Sequence, residues 1–340
     1  MKGLQITEPG TFKIVEVPDP KPYPDEILIK NVVCNSCTHW DLSIWEGYDI
    51  FSRPGNAPQY PYGIGSPGHE WAGEVVAVGD QVKGIGVGDR VSTGSSGDPR
   101  PPSVSRNGAP GRLRPQSEAP RYGAYTQYLI SRPESVQVYP REGLSWKEVA
   151  MQEMLGCVGQ GIVAAGDFTK QRVAVVGMGA AGLMMMQAAR FMGPATVTAV
   201  DIDPKRLEIA QSLGPDRAIS PASDEWAKLP EDEFSIAIDC SGSPKGIESV
   251  LEHTAGKLVI FSVPSGPVVL PTATRRQATS IHYTRTPNGR TSRFARNLLV
   301  SGQVDVKPLL THELPLERFD EGIALMQKKA AIKVSFMLWP

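Results

Sequence analysis

The spacing of apolar residues changes near the middle of the chain. Before Tyr139, the apolar segments are short, rich in β-branched residues and bounded by Pro, Gly or Asp, and they lie at Phe12 to Val17, Ile27 to Val33 and Glu74 to Val78. This composition is typical of strands. After Tyr139, strand-like and helix-like patterns alternate. The sequence therefore predicts an N-terminal part made mainly of strands and a second part in which strands and helices alternate.

The second part has the periodicity of a parallel α/β sheet. Strands are predicted at residues 172–176, 196–200, 234–238 and 257–261, and helices at 146–165, 204–213 and 245–253, with a further helix ending at residue 190. From about residue 281 the alternation ends. The C-terminal residues predict helices at 292–300 and 316–326 and a last strand at 333–338.

The length and charge of the chain bear on the number of domains and on the kinds of partner it can bind. A single hydrophobic core stops growing at roughly 250 to 300 residues, so a chain of 340 residues predicts two domains. The 35 basic and 36 acidic residues nearly cancel, which leaves no strong field to hold nucleic acid or an anionic membrane. The longest apolar runs fall far short of the roughly 20 residues that cross a bilayer, and no signal-peptide pattern opens the chain. We therefore expect a soluble cytoplasmic protein without nucleic-acid or membrane partners.

Cysteine content and one unusual segment bear on the fold. Four cysteines in a chain of this length do not form a disulfide framework, so metal binding or burial is their favoured use. Residues 93–121 are rich in Pro, Gly, Ser and Arg and show almost no apolar periodicity. This composition predicts a long surface loop.

A glycine-rich segment marks the strongest candidate ligand site. Gly177-Met178-Gly179-Ala180-Ala181-Gly182 follows a predicted strand and opens a helix, and Asp201 stands at the end of the next strand. The glycines permit a tight turn, close approach of the backbone to a pyrophosphate and close helix packing, while the helix N-terminus supplies unpaired N–H groups. A ligand-free glycine-rich turn is the alternative, which this context disfavours. Asp201 would accept bonds from ribose hydroxyls and repel a 2′-phosphate, so the predicted cofactor is NAD.

Further coenzyme contacts are predicted around this segment. Arg206 lies on the helix that follows Asp201, where its side chain can stack on an adenine ring. Cys240, Ser241 and Val263 follow two later strands. Because the carboxyl ends of parallel strands face a bound dinucleotide, we expect these residues to contact it as well.

Two separate positions supply metal-ligand chemistry. His69 and Glu70 adjoin near the start of a predicted strand, and Cys37 lies earlier, at the end of another. A thiolate and an imidazole suit zinc. Taken alone, however, Cys37 is more often a small buried residue and His69 a hydrogen-bonded polar residue. These residues by themselves leave both interpretations open.

A series of motifs runs from end to end of the chain. They are EILIK at 26–30, PGHEWAGEV at 67–75, VGDRV at 87–91, YGAY at 122–125, QEMLG at 152–156, LLTHELPL at 309–316 and IKV at 332–334. In this order and at these spacings, they resemble the zinc-containing medium-chain dehydrogenase/reductase superfamily. The resemblance implies an α/β protein with a GroES-like β-rich catalytic domain, residues 1–150 and 283–340. It also implies a Rossmann NAD-binding domain with a doubly wound parallel sheet, residues 151–282.

The resemblance also implies a set of metal ligands. In the superfamily the catalytic zinc takes a Cys, the His of Gly-His-Glu and a Cys or Glu just before the coenzyme domain. The matching residues here are Cys37, His69 and Glu153. Glu70 would be a fourth ligand or hold the zinc-bound water. A Glu at position 153 resembles the branch of sorbitol, threonine and sugar dehydrogenases; the alternative is that Glu153 only begins a solvated helix.

The chain departs from the superfamily pattern in two places. The superfamily has a Ser or Thr two residues after the zinc Cys to carry the substrate proton outward, whereas this chain has His39, whose ordinary pKa of about 6.5 suits proton transfer. Taking Cys34 as the ligand would place Ser36 at the relay position, but the upstream strand would lose its spacing, so Cys37 is preferred. The four closely spaced Cys of a structural zinc lobe are absent from residues 93–121, so one zinc per chain is expected.

Together these features predict an enzyme. We expect a zinc-dependent, NAD-linked dehydrogenase that oxidises a secondary alcohol of a polyol, sugar or cyclitol, or reduces the corresponding ketone, as a homodimer or homotetramer. Zinc would stabilise the developing alkoxide while the nicotinamide takes the hydride. One alternative is a zinc-free quinone or enone reductase of the same superfamily, which metal analysis would separate. The other is a non-catalytic nucleotide-binding protein on this fold, which would bind NAD without turnover.

Overall fold

The structure, a computed structural model, describes residues 1–50, 57–94, 122–270, 279–284 and 286–340. Most of the surface loop predicted at 93–121 therefore lies outside the described residues. The chain forms two compact units. One contains Met1–Met154, Asn288–Arg296 and Leu309–Pro340, and the other contains Leu155–Pro287 and Asn297–Pro308.

The described residues form strands and helices throughout both units. The strands are β1 (Lys2–Glu8), β2 (Thr11–Glu16), β3 (Ile27–Asn35), β4 (Glu70–Val78), β5 (Arg90–Thr93), β6 (Tyr128–Ser131), β7 (Val136–Tyr139), β8 (Arg172–Val176), β9 (Thr196–Val200), β10 (Arg217–Ile219), β11 (Phe234–Asp239), β12 (Thr254–Ile260), β13 (Ser280–Tyr283), β14 (Leu310–Pro315) and β15 (Lys333–Met337). The helices are α1 (Trp40–Glu46), α2 (Trp146–Val149), α3 (Gln152–Ala165), α4 (Ala180–Phe191), α5 (Pro204–Ser212), α6 (Asp224–Ala227), α7 (Pro244–Leu251), α8 (Gly289–Val300) and α9 (Phe319–Gln327). Among the described residues, no helix has the length and apolar content that crossing a membrane requires.

The first unit is built on a largely antiparallel sheet around β3. The strand order is β14-β15-β3-β4-β5-β7, β6 also pairs with β3, and the β14–β15 pair is parallel. Alternate residues of β3 are buried from Ile27 to Val33, as expected for a strand with one face toward a core. From Val33 to Asn35 every residue is buried. The end of β3, just before Cys37, is therefore enclosed on both faces.

Aromatic rings fill the core of the first unit. Tyr125 packs edge-on against Phe319 and Phe336, with ring centroids 5.1 and 5.6 Å apart, and all three side chains are fully buried. Gly322 of α9 makes this packing possible, because a Cβ atom there would lie 2.3 Å from the Phe336 ring. The cluster fixes β15 and the segment before β6 against the rest of the unit.

The second unit is a parallel sheet with the strand order β10-β9-β8-β11-β12-β13. Its central strands are continuous apolar runs, and Val173 to Val176 are all buried, as in a sheet covered on both faces. The chain reverses its direction of travel across the sheet between β10 and β11, which gives a topological switch point beside β8. Doubly wound sheets bind ligands at this point, outside the carboxyl ends of the strands. The predicted doubly wound α/β sheet is confirmed.

The helix predicted at 146–165 is in fact two helices. Ser145 and Glu148 form a reciprocal capping box that starts α2, which ends at Val149. Buried bonds of Gln152 hold the start of α3: the Tyr139 hydroxyl donates to Gln152 Oε1, and Gln152 Nε2 donates to the Ser292 carbonyl at 3.0 Å. Apolar residues continue through the break, so periodicity alone does not reveal it.

Short strands account for most of the elements that the pattern did not predict. β5, β6, β7 and β13 have four residues each and β10 has three, which is too few for alternation to be recognised. β4 also begins at Glu70, ahead of the predicted start at Glu74. Its first residues belong to the strand because Glu70 and Trp71 pair with the end of β3.

The unit boundaries differ from the expected domain boundaries near the C-terminus. The sequence assigns residues 283–340 to one domain, whereas Asn297–Pro308 belong to the second unit. Gln187 of α4 supplies the physical reason. Its Nε2 donates to the Asp305 carbonyl at 3.0 Å, and its Oε1 accepts from the Asp305 N–H at 2.8 Å. Val304 and Val306 on either side are buried.

Candidate functional site

Three metal-ligand side chains meet at one end of the sheet in the first unit. The ligand atoms of Cys37, His69 and Glu70 all lie within 4.8 Å of one another. Cys37 follows β3, His69 comes directly before β4 and Glu70 begins β4, and the pairing of Asn35 with Glu70 brings these two chain segments together. A thiolate, an imidazole and a carboxylate are ligands that zinc accepts. The donor set therefore fits a zinc ion.

Backbone and side-chain hydrogen bonds fix the Cys37 segment. Cys37 N–H donates to Asp41 Oδ2 at 2.9 Å, and the buried Tyr125 hydroxyl donates to the same oxygen at 2.5 Å. Trp40 N–H donates to Cys37 Sγ at 3.4 Å. This bond orients the sulfur within the segment. Burial raises the pKa of Asp41, and its bond from Tyr125 opposes that rise.

His69 is oriented with one ring nitrogen available to a metal. Nδ1 lies 2.8 Å from the Pro67 carbonyl, which can only accept, so Nδ1 carries a proton and Nε2 is the nitrogen that a metal can bind. Burial favours the neutral imidazole. The hydrogen bond of His69 with Cys37, together with the charges of Cys37, Glu153 and Glu70, outweighs this effect, and the pKa of His69 lies well above its usual value. The pocket is therefore one that attracts a cation.

Glu153 lies near the ligand group of Cys37, His69 and Glu70 but is not part of it. Its carboxylate is outside the set of atoms within 4.8 Å of one another, yet its charge acts on both His69 and Glu70. The residue stands in the first turn of α3, directly after the anchored Gln152. Ligation by Glu153 stays a prediction, whereas Glu70 is the carboxylate that the structure brings to Cys37 and His69.

A buried ion pair stands behind the ligand group. Lys333 Nζ lies 2.6 and 2.5 Å from the two carboxylate oxygens of Glu70 and 2.5 Å from the Ser36 carbonyl oxygen. The side chains of Lys333 and Glu70 are 1% and 0% exposed. Burial favours the neutral amine, but Glu70 and Cys37 outweigh it and raise the pKa of Lys333. This role was not predicted from the sequence, although a lysine inside the apolar strand KVSFM is a signal for a buried ion pair.

His39 is exposed at the residue before α1, two positions after Cys37. Its ring reaches solvent, yet the surrounding protein displaces enough water to lower the pKa of the imidazole, and the Lys333 ammonium adds to this shift. A lowered pKa leaves the ring neutral near pH 7, in the form that accepts a proton. Its position is compatible with the predicted relay, which remains a prediction.

The alternative ligand Cys34 lies beside the ligand group of Cys37, His69 and Glu70 but is not part of it. It is fully buried within β3, its Sγ contacts the Asn35 carbonyl at 3.8 Å, and burial raises the pKa of its thiol well above the usual value. Ser36 is also occupied, because its hydroxyl oxygen accepts from Val334 N–H at 3.0 Å. The structure thus brings Cys37 rather than Cys34 into the ligand group, and it gives Ser36 a role in joining β15 to β3.

The glycine-rich segment of the second unit joins β8 to α4. Gly177 has a φ of 91° and approaches Ser241 so closely that a Cβ atom would lie 2.6 Å from its Cα. A Cβ at Gly182 would lie 1.7 Å from the Gly177 carbonyl oxygen. At Gly179, by contrast, no protein atom lies within 4 Å of the Cβ position. Gly177 and Gly182 are therefore needed for packing, while Gly179 borders open space where a ligand can approach the backbone.

Asp201 is bound to the backbone around this segment. Its Oδ2 accepts from Met178 N–H at 2.6 Å, and its Oδ1 accepts from Asp203 N–H at 2.9 Å. The sequence predicted a contact with the ribose, but it did not predict that the same carboxylate supports the glycine-rich turn. Arg206 lies 3.9 Å from Asp203 in a loose ion pair. Its predicted contact with adenine remains a prediction.

The ends of β11 and β12 are tied together by Asp239. Ser241 N–H and Oγ donate to Asp239 Oδ1 at 3.0 and 2.6 Å, and the Ser262 hydroxyl donates to the other oxygen. Cys240 and Ser241 follow β11, and Val263, which is half exposed, follows Ser262. These three predicted coenzyme contacts thus lie at the carboxyl ends of neighbouring parallel strands.

Comparison with known proteins identifies the class. Residues 23–141 match the family described as alcohol dehydrogenase GroES-like domain, and residues 180–298 match the family described as zinc-binding dehydrogenase. A sorbitol dehydrogenase from Bacillus subtilis is 30% identical, and the alignment covers 100% of this chain and 97% of that protein. An L-threonine 3-dehydrogenase from Caldanaerobacter subterraneus is 29% identical over 96% of this chain and 95% of its own length.

Solved structures give the same result for the fold. The 2R,3R-butanediol dehydrogenase from Bacillus subtilis superimposes with a TM-score of 0.80 at 22% identity, covering 99% of both chains. The galactitol-1-phosphate dehydrogenase from Escherichia coli superimposes with a TM-score of 0.79 at 20% identity, covering 99% of this chain and 100% of that one. The chain belongs to the zinc-containing medium-chain dehydrogenase/reductase superfamily. It is an oxidoreductase of the zinc-binding dehydrogenase family.

The glycine-rich segment allows binding and folding to be separated by two substitutions. Gly179→Val fills open space and should leave Tm close to that of the unaltered protein while weakening NADH binding about tenfold, through a clash of about 1.4 kcal/mol with the cofactor. Gly182→Ala collides with the Gly177 carbonyl and should lower the free energy of unfolding by about 1 to 3 kcal/mol. NADH fluorescence titration and thermal unfolding measure the two effects. Unchanged NADH affinity in Gly179→Val would contradict the assignment of the pyrophosphate site.

Proposed function

We propose that this protein is an NAD-linked zinc dehydrogenase acting on a secondary alcohol of a polyol, sugar or cyclitol. The observation that carries the proposal is the grouping of Cys37, His69 and Glu70 within 4.8 Å of one another. The names of its relatives support the substrate class, since they include sorbitol, galactitol-1-phosphate and L-idonate dehydrogenases. A homodimer or homotetramer stays our prediction for the assembly.

The residues in and around the ligand group each have a proposed role in this reaction. Cys37 and His69 would hold the zinc, with Glu70 and Glu153 as the carboxylates beside it. Bound there, zinc would supply a Lewis acid that makes the substrate hydroxyl more acidic, and the nicotinamide would accept a hydride. Asp41 and Tyr125 keep the Cys37 segment in place through buried hydrogen bonds. His39 Nδ1 or Nε2 would take the hydroxyl proton and release it to solvent.

The substrate class is tested by a turnover screen with purified protein. Polyols, aldoses, cyclitols and simple primary alcohols are each offered with NAD, and the absorbance of the reduced nicotinamide ring is followed. We expect activity with secondary alcohols that carry neighbouring hydroxyl groups, and little with primary alcohols. Activity confined to enones or quinones with NADPH would contradict the proposal in favour of a reductase.

The zinc content of two variants tests whether Cys37 or Cys34 is the zinc ligand. The unaltered protein should contain about one zinc per chain by elemental analysis. Cys37→Ser should lose most of this zinc, because a hydroxyl is a poor replacement for a thiolate ligand. Cys34→Ser is the matched control and should keep it, since the Cys34 sulfur is not among the ligand atoms that lie within 4.8 Å of one another. Full zinc in Cys37→Ser, or loss of zinc from Cys34→Ser, would overturn the ligand assignment.

The preference for NAD is predicted to depend on Asp201. Asp201→Ala should raise KM for NAD at least about tenfold, because it removes charge-assisted hydrogen bonds to the glycine-rich turn and to the ribose. It should also reduce the discrimination against NADP, because the negative charge no longer repels a 2′-phosphate. One structural neighbour, a dehydrogenase from Sinorhizobium meliloti with 23% identity, was solved with NADP bound. Because Asp201 is predicted to repel the 2′-phosphate, a preference for NADP in the unaltered enzyme would refute this role of Asp201.

His39 is predicted to relay the substrate proton. His39→Ala should reduce kcat for alcohol oxidation at pH 7 by at least about 100-fold while zinc stays bound, because general acid–base groups contribute this much. The loss should shrink at alkaline pH, where hydroxide takes the proton directly. Steady-state kinetics across pH and elemental analysis measure both quantities. Turnover of His39→Ala close to normal at pH 7 would refute the relay by His39 and would favour Thr38 or a water chain as the path of the proton.

A further inference from the structure

Lys333 connects three strands at the end of the sheet that carries the ligand group. It is the first residue of β15, and its side chain passes β3 to reach Glu70 on β4, since the strand order is β15-β3-β4. Its ammonium has three donors, and three oxygen atoms surround it: both oxygens of Glu70 and the carbonyl of Ser36. Every donor of this buried group is therefore used.

Glu70 lies close to two sites that attract it. Its oxygens are held by Lys333 at 2.5 and 2.6 Å. A carboxylate oxygen of Glu70 also lies within 4.8 Å of the ligand atoms of Cys37 and His69. A metal bound by those two residues would compete with the ammonium for the same carboxylate. The outcome of that competition decides whether Glu70 occupies a position on the metal.

The burial of Glu70 makes this competition strong. A buried carboxylate without a partner is unfavourable, and a low-dielectric interior strengthens its attraction to any cation nearby. If the ammonium were removed, the metal would be the closest cation left to Glu70 in the ligand group. The carboxylate would then move toward the metal and fill a position that a substrate oxygen needs.

We infer that Lys333 is a positioning residue that holds Glu70 back, so that the metal keeps one position open for the substrate. The inference rests on the proposed zinc-dependent function. It assigns to a lysine far from Glu70 in the sequence the task of setting how the metal site is coordinated. Lys333 touches neither substrate nor cofactor in this scheme and acts only through Glu70.

The test uses the full-length protein with Co²⁺ in place of zinc, because the visible absorption of cobalt reports its coordination. Imidazole is added as a probe for the open position, and its apparent Kd is read from the shift of the cobalt bands. The variants are Lys333→Met, Lys333→Arg, Glu70→Gln and the double variant Glu70→Gln with Lys333→Met. Lys147→Met is the matched control, since it removes a lysine from an exposed ion pair with Glu313.

Lys333→Met should raise the Kd for imidazole at least about tenfold, the size of effect that residues supporting a metal ligand produce. Lys333→Arg should stay close to the unaltered protein, because a guanidinium also binds a carboxylate through two hydrogen bonds. Lys147→Met should leave the Kd unchanged. In the Glu70→Gln background, adding Lys333→Met should have no further effect on the Kd, because the carboxylate through which it acts is gone.

Three results would overturn the inference. They are an unchanged Kd in Lys333→Met, an equal rise in Lys333→Arg, and a rise in the Glu70→Gln background. The double variant has no unpaired buried charge, so it keeps the test available if Lys333→Met fails to fold. A lower Tm in Lys333→Met with an unchanged Kd would show a purely structural role and contradict the proposal. Failure of the unaltered protein to bind Co²⁺ with a thiolate charge-transfer band would instead refute the zinc function itself.

Discussion

The burial of several acidic groups at one end of β3 is the constraint on which the first unit depends. Cys37, Asp41 and Glu70 are all buried there, and a buried carboxylate is costly to ionise without a partner. Tyr125 and a backbone N–H stabilise Asp41, and Lys333 stabilises Glu70. Because these donors come from distant parts of the chain, the burial of these groups depends on the order of β15, β3 and β4 and on the aromatic core around Tyr125.

The same arrangement makes the ligand group suitable for a cation. Negative charge from Cys37, Glu153 and Glu70 raises the pKa of His69 against the effect of burial. A divalent metal would neutralise this charge more completely than a proton on His69, and it would bind the Nε2 lone pair that the Pro67 carbonyl leaves available. Stability and metal binding therefore depend on the same buried charges, which links the fold of this unit to its function.

The second unit prepares its site mainly by shape. Gly177 and Gly182 allow backbone segments to approach closely, and Gly179 leaves open space at the start of α4. Asp201 and Asp239 then fix the surrounding turns through hydrogen bonds to backbone and serine groups. These contacts are made within the protein and hold the turns in place, and a site that is already ordered loses less entropy when a ligand binds.

The sequence by itself determined those features of the protein that are encoded in short segments of neighbouring residues. The alternation of strands and helices, the glycine-rich turn after β8 and the ligand types at Cys37 and His69 could all be read from the sequence, because each is encoded within a short segment. The tertiary structure alone decided the break before Gln152, the second role of Asp201 and the pairing of Lys333 with Glu70, which are 263 positions apart. Those features depend on the order in which strands lie side by side, and residue spacing along the chain does not specify that order.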